Sequence, residues 1–328
     1  MPRVVCNSVV PDRDARDGMP KGKAGMAEDI PFDRRFDAVP GVAEEVAPGV
    51  RRVLAPNPGP FTFTGTCSYI VGRGEVAIID PGPDDASHVS ALLAAVHGEK
   101  VTHIFLTHTH RDHSGALDAL KEATGAPAYA EGPHRPAREL HVGEVNTLDA
   151  AGDRSFLPDV ALADGARVKG AGWTIDALAT PGHAANHMAY ILEGQGLIFV
   201  GDHVMGWSTS IVAPPDGSMS DYMDSLRRLG ERPEQLYLPG HGGAIRQGPA
   251  FVERYVRHRL ARETAIMRAL ERGPMAIPEI VRAIYIGLDP RLADAAGLST
   301  LAHLEDLVGR GDVLTEGPAA IEGTFQLP

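Results

Sequence analysis

Thr107-His108-Thr109-His110-Arg111-Asp112-His113 gathers three imidazoles and one carboxylate within a few residues. Nitrogen and oxygen donors at this density suit zinc and similar borderline cations. The run follows Ile104-Phe105-Leu106, a short apolar stretch that reads as a buried strand. The donors are therefore expected on a loop at that strand's end. A single histidine after a strand is more often structural than a ligand. Four costly polar groups gathered by accident explain this run far less well.

A site for two metals needs more ligands, and three candidates follow downstream. His183 ends Thr180-Pro181-Gly182-His183, Asp202 ends Val200-Gly201-Asp202, and His241 stands in Leu238-Pro239-Gly240-His241-Gly242. Each follows an apolar run and a glycine, which lets the backbone turn sharply around a shared point. A rigid sheet delivering side chains at its strand ends is what precise metal geometry requires. Asp202 is weak by itself, since Gly-Asp occurs in many turns, and its place between His183 and His241 raises it.

Taken in order, HTHRDH, TPGH, GD and PGHG resemble the motifs of the metallo-β-lactamase fold hydrolase superfamily, over roughly residues 45–245. The resemblance implies that His108, His110 and His183 hold one metal. Asp112, His113 and His241 would hold the second, with Asp202 bridging both. It also implies a mixed α/β fold, a four-layer αββα sandwich with the metals at one edge of its paired sheets. The implied cofactors are two divalent ions, Zn2+ foremost, with Mn2+ or Fe2+ as alternatives. Two such ions lower the pKa of a shared water toward neutrality, so the expected chemistry is hydrolysis by a metal-bridging hydroxide. Asp112 and Asp202 would be the catalytic carboxylates, Asp112 orienting the nucleophile and Asp202 keeping the metals at bridging distance.

Within the superfamily the chain is most similar to the lactamase-β-2-like group. The likeness rests on Gly59 to Thr66, on TPGHAANHM with its second histidine His187, and on a winged-helix-like tail. Zinc lactamases of the familiar type carry cysteine where this chain has Asp202, which weakens antibiotic hydrolysis. Glyoxalase II-like thioesterases carry a basic C-terminal element with no counterpart found here.

The remaining chain sets the envelope. At 328 residues, 43% hydrophobic and 23% charged, it has the composition of a globular protein with a sizeable core. No apolar stretch reaches bilayer length, and the N-terminal apolar run is too short for a signal peptide. With only Cys6 and Cys67 there is no disulfide framework, so a cytoplasmic setting is expected. The formal net charge of −12 argues against a broad surface for duplex nucleic acid.

Residues 1–40 show no sustained periodicity and read as a flexible extension, and Met26 is a candidate natural start. From 41 to 250, short β-rich runs alternate with helical patterns at Ala86 to Val96, Gly115 to Thr124 and Tyr222 to Leu229. The strand runs are Val50 to Leu54, Ser68 to Val71, Val76 to Ile79, His103 to Leu106, Trp173 to Leu178, Met188 to Leu192, Leu197 to Val200 and Gln235 to Leu238. In 251–328, helices are expected over Phe251 to Arg272, Ile277 to Ile286 and Leu298 to Arg310. Two short strands, Val313 to Thr315 and Thr324 to Leu327, complete the outline of a winged helix.

Other residues carry weaker signals. Asp80 is balanced between a turn residue and an acceptor fixing a ligand imidazole. His187 is expected to pack or hydrogen-bond near the site, and His203 to point away from Asp202. His134 and Arg135 read as a surface loop, and Tyr69 and Tyr190 as core. Arg254, Arg257, Arg259, Arg262 and Arg268 give the long C-terminal helix a basic bias. Glu253, Glu263 and Glu271 balance it, so a solvated face is expected.

The substrate is expected to be an ester, thioester or phosphodiester. A small acyl compound fits the acidic charge, whereas single-stranded RNA cut by an endoribonuclease fits the winged-helix tail. A glyoxalase II-like thioesterase is a further alternative. In the non-enzymatic alternative the winged helix binds nucleic acid or a partner protein, and retention of every ligand argues against it. No membrane association is expected, and the oligomeric state, a homodimer included, stays open.

Overall fold

The computed structural model describes residues 30–142, 144 and 151–328, so Met26 lies outside the described residues. A seven-stranded sheet runs in chain order: β1 (Ala43–Ala47), β2 (Val50–Leu54), β3 (Cys67–Arg73), β4 (Glu75–Ile79), β5 (Lys100–Phe105), β6 (Ala128–Ala130) and β7 (Val160–Ala161). Its helices are α1 (Ala86–Ala95), α2 (Arg111–Ser114) and α3 (Leu117–Thr124). A six-stranded sheet comprises β8 (Arg167–Gly170), β9 (Trp173–Ala179), β10 (Met188–Leu192), β11 (Leu197–Gly201), β12 (Leu236–Pro239) and β13 (Ile245–Arg246), with α4 (Met219–Gly230) crossing between β11 and β12. The β11–β12 pair is parallel, which requires that crossover.

The layers follow from which side chains share a core. Cys67, Tyr69 and Val71 of β3 meet Ile175, Tyr190 and Phe199 of the other sheet in one apolar cluster. Ile70, on the opposite face of β3, packs instead with Leu92 of α1 and Leu120 of α3. Ile198 and Val200 of β11 pack outward against Tyr222 and Leu226 of α4. Helix, sheet, sheet and helix are thus stacked in the expected four layers. The central strands are apolar along their whole length because both faces are buried.

The chain then enters α5 (Gly248–Leu270), a short strand β14 (Met275–Ala276), α6 (Ile277–Ile284) and α7 (Ala293–Arg310). Strands β15 (Leu314–Thr315) and β16 (Thr324–Gln326) follow, and the three strands form a sheet in the order β14-β16-β15. This is a winged helix with its own core of Ile266, Ile280, Leu304 and Phe325. Helix α5 serves both units. Phe251, Val252 and Tyr255 near its start belong to the sandwich core, and Ile266 and Leu270 near its end belong to the winged-helix core.

Several expectations are corrected. The stretch 30–40 is not a free extension: Ile30 is buried, and Phe32 packs edge-on against Phe251 and Tyr255 at 6.3 Å. Aromatic anchors seat this segment, which a composition reading dominated by Asp, Arg and Pro hides. The helix expected over Gly115 to Thr124 begins only at Leu117, behind the separate turn α2. Helix α7 begins at Ala293 rather than Leu298, after a 3-10 turn over Pro290–Leu292.

Candidate metal centre

Strand β5 ends at Phe105, and the next residues cross the sheet edge with His108 and His110 on the loop and Asp112 and His113 in α2. His183 follows β9, Asp202 follows β11 and His241 follows β12. All seven side chains predicted from sequence converge at this one edge, in two groups that could each hold a metal ion. His108, His110 and His183 form one, and Asp112, His113, Asp202 and His241 form the other.

Distances define the arrangement. His110 Nδ1 lies 3.0 Å from His108 Nε2 and 3.1 Å from His183 Nε2. His241 Nε2 lies 3.2 Å from both Asp112 Oδ2 and Asp202 Oδ2. His113 Nε2 is 3.4 Å from Asp202 Oδ1 and 3.5 Å from Asp112 Oδ2. Asp202 Oδ2 also stands 3.9 Å from His183 Nε2, so this carboxylate reaches both groups. His113 Nε2 and Asp202 Oδ1 are buried with no hydrogen-bond partner among the described residues. Buried polar atoms are normally satisfied, and a set of orphaned lone pairs aimed at one point is what a bound cation would complete.

The outward ring nitrogens explain why the inward ones are free to ligate. His183 Nδ1 donates to Ile211 O at 2.7 Å, and His241 Nδ1 donates to Gly65 O at 3.2 Å. His113 Nδ1 is 2.9 Å from Asp80 Oδ2. His108 Nδ1 is 3.0 Å from Thr107 Oγ1, which donates to Asp80 Oδ2 at 2.8 Å. Thr107 N donates to the other Asp80 oxygen at 2.7 Å. Fixing one nitrogen as donor orients the ring and turns the other toward the shared point, where a cation would displace any proton it carries. Asp80, evenly balanced in the sequence reading, is thus an acceptor that orients a histidine in each group.

Electrostatics divide the two groups. Burial, then the neighbouring His183, pushes His110 down to about 3, keeping this imidazole neutral. Burial opposes charge on His241 too, but Asp202 and Asp112 outweigh it and raise this imidazole to about 9. His113 is raised well above its ordinary value by Asp112, Asp202 and Asp80 against the same burial. Burial would raise Asp202, yet the facing His241 and His113 hold it well below the carboxylate range.

Around this centre, His187 hydrogen-bonds through Nδ1 to Thr180 Oγ1 at 2.8 Å and accepts Asp202 N at 3.2 Å. His203 points away, its ring 4.4 Å from that of Tyr222. Tyr69 and Tyr190 are core residues whose hydroxyls donate to Pro239 O and Leu106 O. His134 corrects the surface-loop expectation. Its side chain is buried, 3.0 Å from Thr109 Oγ1 and 3.5 Å from Asp216 Oδ2, and so braces the loop between His108 and His110. Arg135 is exposed and pairs with Glu131. Arg259 and Arg262 overturn the solvated-face expectation. Arg259 is buried with its guanidinium on Ser210 O, and Arg262 donates to Ile284 O at 2.8 Å.

The mouth of the centre is a cavity of about 410 Å³. Phe61, Ile211, Ala295 and Leu298 form apolar walls, and Asp294 stands at the rim. Ala295 and Leu298 come from the first turns of α7, so the winged helix roofs the pocket. Sequence reasoning missed these wall residues, because only tertiary packing brings α7 to the sheet edge.

Residues 61–241 match the model of the metallo-beta-lactamase superfamily, and residues 276–319 match the beta-lactamase associated winged helix domain. The lactamase-like protein adaB of Aspergillus niger is 32% identical over 269 residues, covering 77% of this chain and 78% of that protein. An atrochrysone carboxyl ACP thioesterase of Aspergillus chevalieri is 31% identical over 266 residues, covering 76% of this chain and 77% of its own. A metallo-beta-lactamase family protein from Thermus thermophilus superposes with a TM-score of 0.70 at 26% identity, over 87% of this chain and 100% of that one. Motifs, layered fold, convergent donors and these likenesses agree: the chain belongs to the metallo-beta-lactamase superfamily, as a hydrolase domain followed by its associated winged helix.

Proposed function

We propose that the chain hydrolyses a small acyl thioester. The observation that carries this reading is the pocket itself. It is walled by Phe61, Ile211, Ala295 and Leu298, and among the described residues no lysine or arginine lines it. Single-stranded RNA needs a cationic groove that tracks its backbone. Here Asp294, the carboxylate of the lining that lies outside the proposed donor set, stands where phosphates would run. An acyl chain fits such walls, and relatives named as thioesterases support the choice.

In this reading His108, His110 and His183 would hold one divalent cation and Asp112, His113 and His241 the second, with Asp202 within reach of both groups. The donor set of imidazoles and carboxylates favours Zn2+, with Mn2+ and Fe2+ as alternatives. When bound, such a pair supplies Lewis acidity that makes water nucleophilic at neutral pH and steadies negative charge on the acyl oxygen. Asp112 is the most accessible of the donors on the pocket side, with 28% of its side chain exposed, so it can orient an incoming water and accept its proton. Asp202 is fixed from behind by its own N–H to His187. Phe61 and Leu298 exclude bulk water and position the acyl chain. A cytoplasmic location goes with this reading, and among the described residues no helix is long and apolar enough to cross a membrane.

The test compares acyl thioesters of graded chain length with single-stranded RNA, using wild-type protein and His110→Ala. The wild type is expected to hydrolyse thioesters with kcat/KM above about 10⁴ M⁻¹s⁻¹. His110→Ala is expected to lose most bound metal, read by elemental analysis, together with that activity. RNA cleavage without thioester turnover would overturn the substrate, and unchanged metal content in His110→Ala would overturn the ligand set.

A further inference from the structure

Beside the metal pocket lies a second cavity, of about 330 Å³, between the sandwich and the winged helix. Phe61, Ile211 and Ala295 line both spaces, so the two compartments adjoin at these residues. Part of the second lining is apolar, with Trp207, Tyr285, Leu288 and Leu292. The polar part carries three cations, Arg34, Arg259 and Arg262, beside neutral hydroxyls such as Thr209, and among the described residues no aspartate or glutamate lines it. In a chain of net charge −12 that is an unexpected concentration of one sign.

The arginines are oriented without being neutralised. Arg259 is only 4% exposed, and its guanidinium donates to Ser210 O. Its Nε is buried and has no acceptor among the described residues. The Tyr222 ring lies 5.0 Å from the guanidinium carbon. Arg262 lies 4.3 Å from the Tyr285 ring centroid, and Arg34 Nε reaches Trp207 O at 3.4 Å. Backbone carbonyls and ring faces fix these groups in place, but no acidic side chain pairs with them among the described residues. A buried cation without a counter-charge is costly, and an arriving anion relieves that cost. One imidazole of the lining, His258, feels both its burial and these cations. Burial, then Arg259 and Arg262, pushes His258 down to about 4.

We propose that this second cavity is an anion subsite, which takes a carboxylate or phosphate group carried on the apolar body of the substrate. Guanidinium matches both oxyanions through paired N–H donors, and Trp207 and Tyr285 supply faces for the attached apolar portion. The polarity of the two compartments sets the direction of binding. The reacting acyl group would lie among Asp112, Asp202 and Asp294, and the charged end past Phe61, Ile211 and Ala295 with the arginines. This naming of the substrate class rests on the proposed hydrolysis, whereas anion binding itself does not.

The experiment titrates full-length, metal-loaded protein calorimetrically with 1-naphthoate, 1-naphthyl phosphate and the neutral 1-naphthamide. At least one anion is expected to bind about tenfold or more tightly than the amide. The Arg259→Met variant tests the buried group directly, and Arg262→Gln and the exposed Arg34→Gln keep the test open should Arg259→Met fail to fold. In folded variants the anion preference is expected to fall by about fivefold or more. An anion bound only by the metals keeps its preference in every variant, and that result overturns the subsite. Equal affinity of all three probes for the wild type also overturns it, leaving Arg259 as a structural tie to Ser210. Anion binding without thioester turnover would sink the proposed reaction and leave the subsite standing. Turnover without anion preference would do the reverse.

Discussion

Asp80 shows what one side chain contributes to the centre. It carries a left-handed backbone, φ 53°, and its two oxygens serve Thr107 N, Thr107 Oγ1 and His113 Nδ1. Removing the carboxylate unfixes His113 directly and His108 through Thr107, while every proposed ligand stays in the chain. Asp80→Ala is therefore expected to weaken metal binding by about 10–100-fold, measured by competition with a chromophoric chelator. Unaltered affinity would mean that packing alone orients these rings. The proposed ligands were legible in the sequence because each sits in a short local motif. Asp80 was only half legible, since Ile-Asp-Pro-Gly is also an ordinary turn. Arg259 was misread, because counting acids and bases along a helix cannot reveal which turn faces another domain.

At the scale of elements, β11 was legible because burial on both faces makes it continuously apolar, and β5 and β9 because each carries an apolar run before its loop, Ile104 to Leu106 and Ala177 to Leu178. Strands β1, β7, β8 and β13 were not, being edge or near-edge strands that carry charged residues or only two positions. The connections after the strands are as constrained as the strands themselves. A Cβ at Gly240, between β12 and His241, would stand 2.4 Å from Asp202 Oδ1 and 2.6 Å from His113 Cε1. Gly240→Ala must therefore displace two proposed ligands, and a loss of about 10²-fold or more in kcat is expected while the fold persists. Wild-type kcat in that variant would show that the loop can retreat. Helix α7 offers the complementary test, because Leu298 walls the pocket without belonging to the donor set. Leu298→Trp is expected to lower kcat/KM for long acyl thioesters by about tenfold, with metal content unchanged by elemental analysis. Equal losses for short and long chains would argue that Leu298 does not contact the acyl group.

The molecule as a whole is less divisible than its sequence. Two family models and a change of pattern near residue 250 describe two domains, yet Ala302 of α7 packs in the same core as Val252 and Tyr255. Arg138 of the sandwich also pairs with Glu305 of α7 at 2.5 Å. On the same helix His303 is 2% exposed, with no partner for either ring nitrogen among the described residues. Burial, then Arg259, His258, Arg262 and Arg310, pushes it down to about 3 from an ordinary 6.5. The sign of the consequence follows. Above pH 6.5 the ring is neutral folded or unfolded, and its contribution is fully present. As pH falls from 6.5 toward 3, only the unfolded chain takes up the proton, so stability drops by about 1.4 kcal/mol per pH unit. At pH 5 the loss through His303 is on the order of 2 kcal/mol. Replacing it with leucine removes the titration but keeps an apolar side chain at the interface. Urea unfolding of His303→Leu is therefore expected to lose less stability than wild type between pH 7 and pH 5. Equal losses in the two proteins would show that His303 takes up its proton as readily in the folded chain as in the unfolded one.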